Sequence, residues 1–203
     1  MVCRMVGVAV AVVPLVSMAQ TTPGNPLTNL QLFRNLARDV ATQMYTMAPK
    51  SDTSTIVLKV MPRDIAWVVE DDMILGIRNA GGHVVQSGGG LSAVCGLLEF
   101  KVRYENIRRD WIFGPKKVDR TVICLMHATI SDGISGATLS SEDRQASLTD
   151  TVLVSDLERL ESSTLLATKG VLPAEGVFEN LAEPLIVLGT VAVAVILLFT
   201  VRS

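Results

Sequence analysis

The stretch Leu98-Glu99-Phe100-Lys101-Val102-Arg103-Tyr104-Glu105 decides the fold. Apolar and charged residues alternate along it, and side chains of a β-strand point alternately to opposite faces. Leu98, Phe100, Val102 and Tyr104 are therefore predicted to face a core, and Glu99, Lys101, Arg103 and Glu105 to face water. This is the pattern of a half-buried antiparallel strand. Gly114-Pro115-Lys116-Lys117 supplies a turn, and residues 118–130 return as a second long strand with Val122, Cys124, Met126, Ala128 and Ile130 on its buried face. Ser131-Asp132-Gly133-Ile134-Ser135-Gly136 turns the chain again, and residues 137–141 start a third strand.

The segments before this meander alternate in type. Residues 27–46 read as a helix, with Phe33, Leu36, Ala37, Val40 and Met44 recurring at three- and four-residue steps until Pro49. The β-branched run 54–61 reads as a buried strand stopped by Pro62. Residues 64–80 read as a second helix, closed by Gly81-Gly82, with a short strand at 83–86 and a Gly88-Gly89-Gly90 loop behind it. After the meander, Ser155-Asp156-Leu157-Glu158 has capping-box spacing and opens a helix through about residue 166. The order predicts an α/β (α+β) fold: a two-layer domain with a mixed, largely antiparallel sheet and two to three helices.

The two ends are apolar. Arg4, the run 5–16 and the small residues Ser17 and Ala19 describe a signal peptide over 1–19. Residues 184–201 carry no charge; eighteen residues reach roughly 27 Å as a helix, near the ~30 Å hydrocarbon core, so one C-terminal transmembrane helix is expected. Glu175, Glu179 and Glu183 precede it and Arg202 follows, which orients the domain outside the cytoplasm. The expected organisation is signal peptide 1–19, linker 20–26, exported domain 27–168, stalk 169–183, transmembrane helix 184–201 and cytoplasmic end 202–203. The two ends account for much of the 49% hydrophobic content and the mean hydropathy of +0.41. A net charge of -2 argues against nucleic acid as a partner. Cys95 and Cys124 are either a disulfide or two buried thiols, and their sequence positions leave both open.

Chemistry is sparse. His83 and His127 are the two histidines, no His/Cys pair has metal-ligand spacing, and no Gly-x-Ser-x-Gly elbow is present. No catalytic residue, cofactor or metal is expected, and the chain is not expected to be an enzyme. His127 reads as a hydrogen-bonded structural histidine, and Glu70-Asp71-Asp72 as a solvated helix face. The surface singled out is the hairpin between Lys101 and Arg120, rich in Lys and Arg, Arg120 included. Its candidate partner contacts are Arg108, Arg109, Trp111, Phe113, Lys116 and Lys117, because tryptophan and arginine are enriched where proteins bind proteins.

The first helix, the strand 55–61, the helix ending at Gly81-Gly82, His83-Val84-Val85 and the Ser131–Gly136 turn carry a resemblance. Over residues 28–165 the chain resembles the periplasmic α/β domains of bacterial envelope accessory proteins: the curli secretion protein CsgG, the flagellar accessory protein FlgO and the lipoprotein activators of penicillin-binding proteins. The resemblance implies a non-enzymatic envelope role. The expectation is a single-pass, membrane-anchored accessory or scaffold protein with its domain on the periplasmic side, binding an envelope protein or a second copy of itself. The alternative is an envelope-polymer hydrolase or transferase with a site assembled from scattered residues.

Overall fold

The computed structural model describes residues 15–17, 25–48, 55–88, 90–111, 114–174 and 177–200. The rest of the expected signal peptide, the linker before residue 25, Ile112, Phe113 and the end 201–203 lie outside the described residues. The chain divides into two compact units, Met1–Val171 and Leu172–Ser203.

The first unit is a mixed α/β domain. Its elements are β1 (Leu15–Ser17), α1 (Asn29–Met47), β2 (Thr55–Met61), α2 (Arg63–Ala66), α3 (Glu70–Asn79), β3 (His83–Val85), β4 (Leu91–Arg109), β5 (Lys116–Asp132), β6 (Thr138–Leu153) and α4 (Leu157–Leu160). The sheet order is β1-β6-β5-β4-β2-β3. β4, β5 and β6 form the antiparallel meander. β2 runs parallel to both β3 and β4, and β1 parallel to β6. α1 brings Leu32, Phe33, Leu36, Val40 and Met44 into the core beside the buried even-numbered residues 118–130 of β5, and α3 adds Met73 and Ile77 where it packs on α1.

Local chemistry explains the helix borders. Thr28 caps α1: its hydroxyl accepts from the Gln31 N–H, while the Gln31 side chain accepts from the Thr28 N–H at 2.9 Å. The two helices cross closely at Gly76, where an added Cβ would lie 2.3 Å from the Arg38 carbonyl oxygen. Asp72, on α3, is buried and paired with both Arg34 and Arg38 of α1.

Several sequence expectations change. The helix expected over 64–80 is two helices, α2 and α3, separated by a turn at 67–69. Asp72 is 4% exposed rather than on a solvated face, because α1 supplies two guanidinium groups to it. The capping box at Ser155 does not form: the segment makes a 3-10 turn (Val154–Asp156), the four-residue α4, and a further 3-10 turn (Leu166–Thr168). β4 begins at Leu91, so its first part pairs with β2 as well as β5. Leu98 is 54% exposed, not core. A bulge is the cause: Leu97 stands opposite Met126 and Glu99 opposite Leu125, leaving Leu98 as the extra residue. Before it Ala93 and Cys95 face the helices, and after it Val102 and Tyr104 do.

The second unit contains α5 (Val177–Thr200). Among the described residues no helix is long and apolar enough to cross a membrane.

Candidate functional site

β2 stops at Met61, which pairs with Gly96, and Pro62 has no N–H with which to continue the ladder. β4 runs on to Arg109. A cleft of about 340 Å³ opens where β2 leaves off. Leu30 and Phe33 of α1, Pro62, Ile65 and Val68 beyond β2, four residues of β4 (97–100) and residues 164–168 line it. Phe33 and Phe100 stack at one wall, with ring centroids 4.6 Å apart and planes inclined by 23°. Leu98 and Leu166 are the large exposed apolar side chains of its lining, at 54% and 81%.

The wall at 164–168 is held by specific bonds. The Thr168 hydroxyl donates to the Leu165 carbonyl at 2.7 Å and accepts from the Ser162 N–H at 2.9 Å. The Thr168 carbonyl accepts from Asn29 Nδ2 at 2.7 Å, and the same amide group donates to the Tyr104 hydroxyl at 3.0 Å. Burial, ahead of its neighbours' charges, pushes the Tyr104 phenol up to about 12. The cleft itself carries one ionisable side chain, Glu99, which pairs with Lys101 at 3.5 Å. Such a site can exclude water around an apolar group.

Two of the hairpin candidates, Arg108 and Lys117, are engaged in ion pairs on the hairpin itself. Arg108 Nη1 donates to Asp119 Oδ2 at 2.7 Å and Nη2 to the Thr151 hydroxyl, holding the Asp119 carboxyl below the usual range. Lys117 pairs with Asp110. Arg109 and Lys116 stand opposite each other across β4 and β5. Trp111 is 67% exposed, and Phe113 lies outside the described residues. Arg120, counted by its sequence position with this basic surface, is fully buried.

Folding also assembles a group that sequence spacing concealed. His127 stands opposite Asp143 across β5 and β6; Nδ1 lies 2.6 Å from Asp143 Oδ1 and Nε2 lies 3.1 Å from Ser141 Oγ. Ser141 Oγ is also 3.2 Å from the Thr129 hydroxyl. Serine, histidine and carboxylate in that order can activate a nucleophile. These three occupy the sheet face opposite the helices, with the His127 and Asp143 side chains 42% and 54% exposed, and none lines the cleft. His83 is exposed at the start of β3. Among the described residues no group of three His, Cys, Asp or Glu is placed to hold a metal ion.

The cleft was not singled out from the sequence, although a signal for it exists. Leu91, Ala93, Cys95 and Leu97 keep one phase and Leu98, Phe100, Val102 and Tyr104 the other. Two phases meeting at adjacent leucines mark an inserted residue.

No family model and no curated protein matches the chain. Among solved structures it is similar to a minor lipoprotein from Acinetobacter baumannii, at 11% identity and a TM-score of 0.33 over 52% of this chain and 69% of that one. It is also similar to a protein designated a neuraminyllactose-binding hemagglutinin homolog from Helicobacter pylori, at 11% identity and a TM-score of 0.29 over 59% of this chain and 76% of that one. Overlaps this partial define neither a family nor a shared site for this chain.

Proposed function

We propose that this chain is an exported, membrane-anchored accessory or scaffold protein of the bacterial envelope that acts by holding another protein in the cleft beside β4. The cleft carries the reading, by its apolar lining and the exposed Leu98 and Leu166. Interface anchors are apolar or aromatic side chains seated in such pockets. The uncharged run 184–201 supports an anchor, and Arg4 with the apolar run behind it, together with the single Arg202, supports a domain on the periplasmic side.

The test is photo-crosslinking from position 164, in the same cleft wall as Leu166, in native membranes, followed by mass spectrometry. A defined protein partner is expected, and its yield should fall at least tenfold when Leu98→Lys and Leu166→Lys are combined. Each leucine removed from a shared apolar contact is worth about 1.5–3 kcal/mol, and 1.4 kcal/mol is tenfold in affinity. Crosslinks unaffected by the two lysines would sink this reading.

The His127–Asp143–Ser141 group favours a second reading, a hydrolase acting on an envelope polymer with Ser141 as nucleophile. It requires a fluorophosphonate probe to label Ser141 and His127→Ala to abolish the label.

A further inference from the structure

Four consecutive residues of β4, from Leu97 to Phe100, line the cleft. Side chains of a strand alternate between faces, so four in a row along one wall bring the backbone itself into that wall. On one edge this stretch pairs with β5, with Leu97 opposite Met126 and Phe100 opposite Cys124. On the other edge β2 has ended at Met61, and among the described residues no strand pairs with β4 beyond Gly96. The outward N–H and C=O groups there form a row without a ladder partner.

The size and chemistry of the space select its occupant. A cleft of about 340 Å³ walled mainly by leucine, isoleucine, valine and phenylalanine has room for more than one aliphatic side chain. A hydrocarbon filling the cleft would cover the free backbone groups without pairing them, which is unfavourable. An extended peptide would pair with them and place alternate side chains among Phe33, Ile65 and Phe100. We infer that the cleft is a strand-addition site: it takes an extended segment of the partner, with leucine- or valine-sized residues at alternate positions, laid along the edge of β4. This rests on the reading of the chain as a protein-binding module and names the chemistry of the partner's contact.

The test uses the full chain in lipid nanodiscs and a fluorescein-labelled hexapeptide alternating threonine and leucine. Two further peptides carry N-methyl groups at every second residue, one in each phase. Saturable binding of the parent peptide is expected; methylation in one phase weakens it at least tenfold and in the other phase changes it little. Combining Leu98→Lys with Leu166→Lys also weakens it at least tenfold while the melting temperature stays near that of the parent, since both side chains are exposed. Excess dodecanoate leaves the peptide bound. Absence of saturable binding, equal binding of all three peptides, or displacement by dodecanoate would each overturn strand addition. A partner crosslinked at position 164 together with indifference to N-methylation would leave the binding function standing and remove only this mode.

Discussion

Arg120 has no exposed surface, and its guanidinium donates through Nε and Nη2 to the two carboxylate oxygens of Asp150, the residue directly opposite across β5 and β6. Its Nη1 donates to the Leu27 carbonyl at 2.9 Å and to Asn29 Oδ1 at 2.8 Å. Asn29 in turn reaches Tyr104 on β4 and the Thr168 carbonyl at the cleft wall. One buried cation thus connects two strands, the start of α1 and the segment that closes the cleft.

Replacing Arg120 by Met leaves the Asp150 carboxylate and the Asn29 carbonyl without their donors. Removing one member of a buried pair costs about 3–5 kcal/mol, whereas replacing both members by apolar residues is often neutral. Urea unfolding of the full chain should show that loss for Arg120→Met and a partial recovery for Arg120→Met combined with Asp150→Leu. Equal stability of the parent and the single variant would contradict the network.

Gly76 and Gly96 should respond differently to alanine. At Gly76 a Cβ meets the Arg38 carbonyl oxygen at 2.3 Å, so α1 and α3 must separate; at Gly96 the nearest atom is 3.8 Å away. Overpacking of this kind costs about 1–3 kcal/mol, while a change with ordinary contacts stays within about 0.5. Melting curves of the two variants check the contrast, and similar shifts for both would refute the close helix crossing.

Stability should depend on Asp72 at acid pH. Burial raises its carboxyl, but hydrogen bonds from Arg34 and Arg38 outweigh that effect and hold it below the usual carboxylate range. The unfolded chain, with a pKa of about 3.9, then takes up protons before the folded one does. The contribution is therefore full above that unfolded value and disappears as pH falls through the lower folded value. Asp72→Asn should cost about 1–2 kcal/mol at pH 7, the arginines being partly exposed, and the gap to the parent should close towards acid. Denaturant titrations at a series of pH values measure this; a gap independent of pH would count against the clamp.

Cys95 and Cys124 should remain thiols. Cys95 stands opposite Ala128, four residues along β5 from Cys124, or roughly 13 Å at the rise of a strand, too far to bridge. Burial pushes the Cys95 thiol up to about 12 and raises that of Cys124 as well. Iodoacetamide at pH 8 should spare both in the folded chain and modify both in guanidinium chloride, with peptide masses free of a Cys95–Cys124 link.

Elements whose pattern is local were legible. The apolar face of 118–130 and the three- and four-residue spacing in α1 record which side of one element is dry and place β5 and α1 within two residues at either end, while the alternation in 98–105 marks only the later part of β4. The bulge was less so, because the two phases meeting at Leu97 and Leu98 read as a pair of leucines until β5 sets the count of residues across from them.

What the sequence determined by itself is α1, β2, β3 and the half-buried character of the meander, since hydrophobic periodicity is written into neighbouring residues. Only the tertiary structure decided that Arg120 and Asp72 are buried, that Leu98 is exposed and that His127 meets Ser141 and Asp143. Charged residues read as solvent-facing unless a partner is near in sequence. The partners of Arg120 and Asp72 come from about 30 to 90 residues away, and only the assembled fold can offset their desolvation. The cleft arises in the same way: it is the gap left where β2 ends and β4 continues, a difference between two strands that neither sequence segment contains alone.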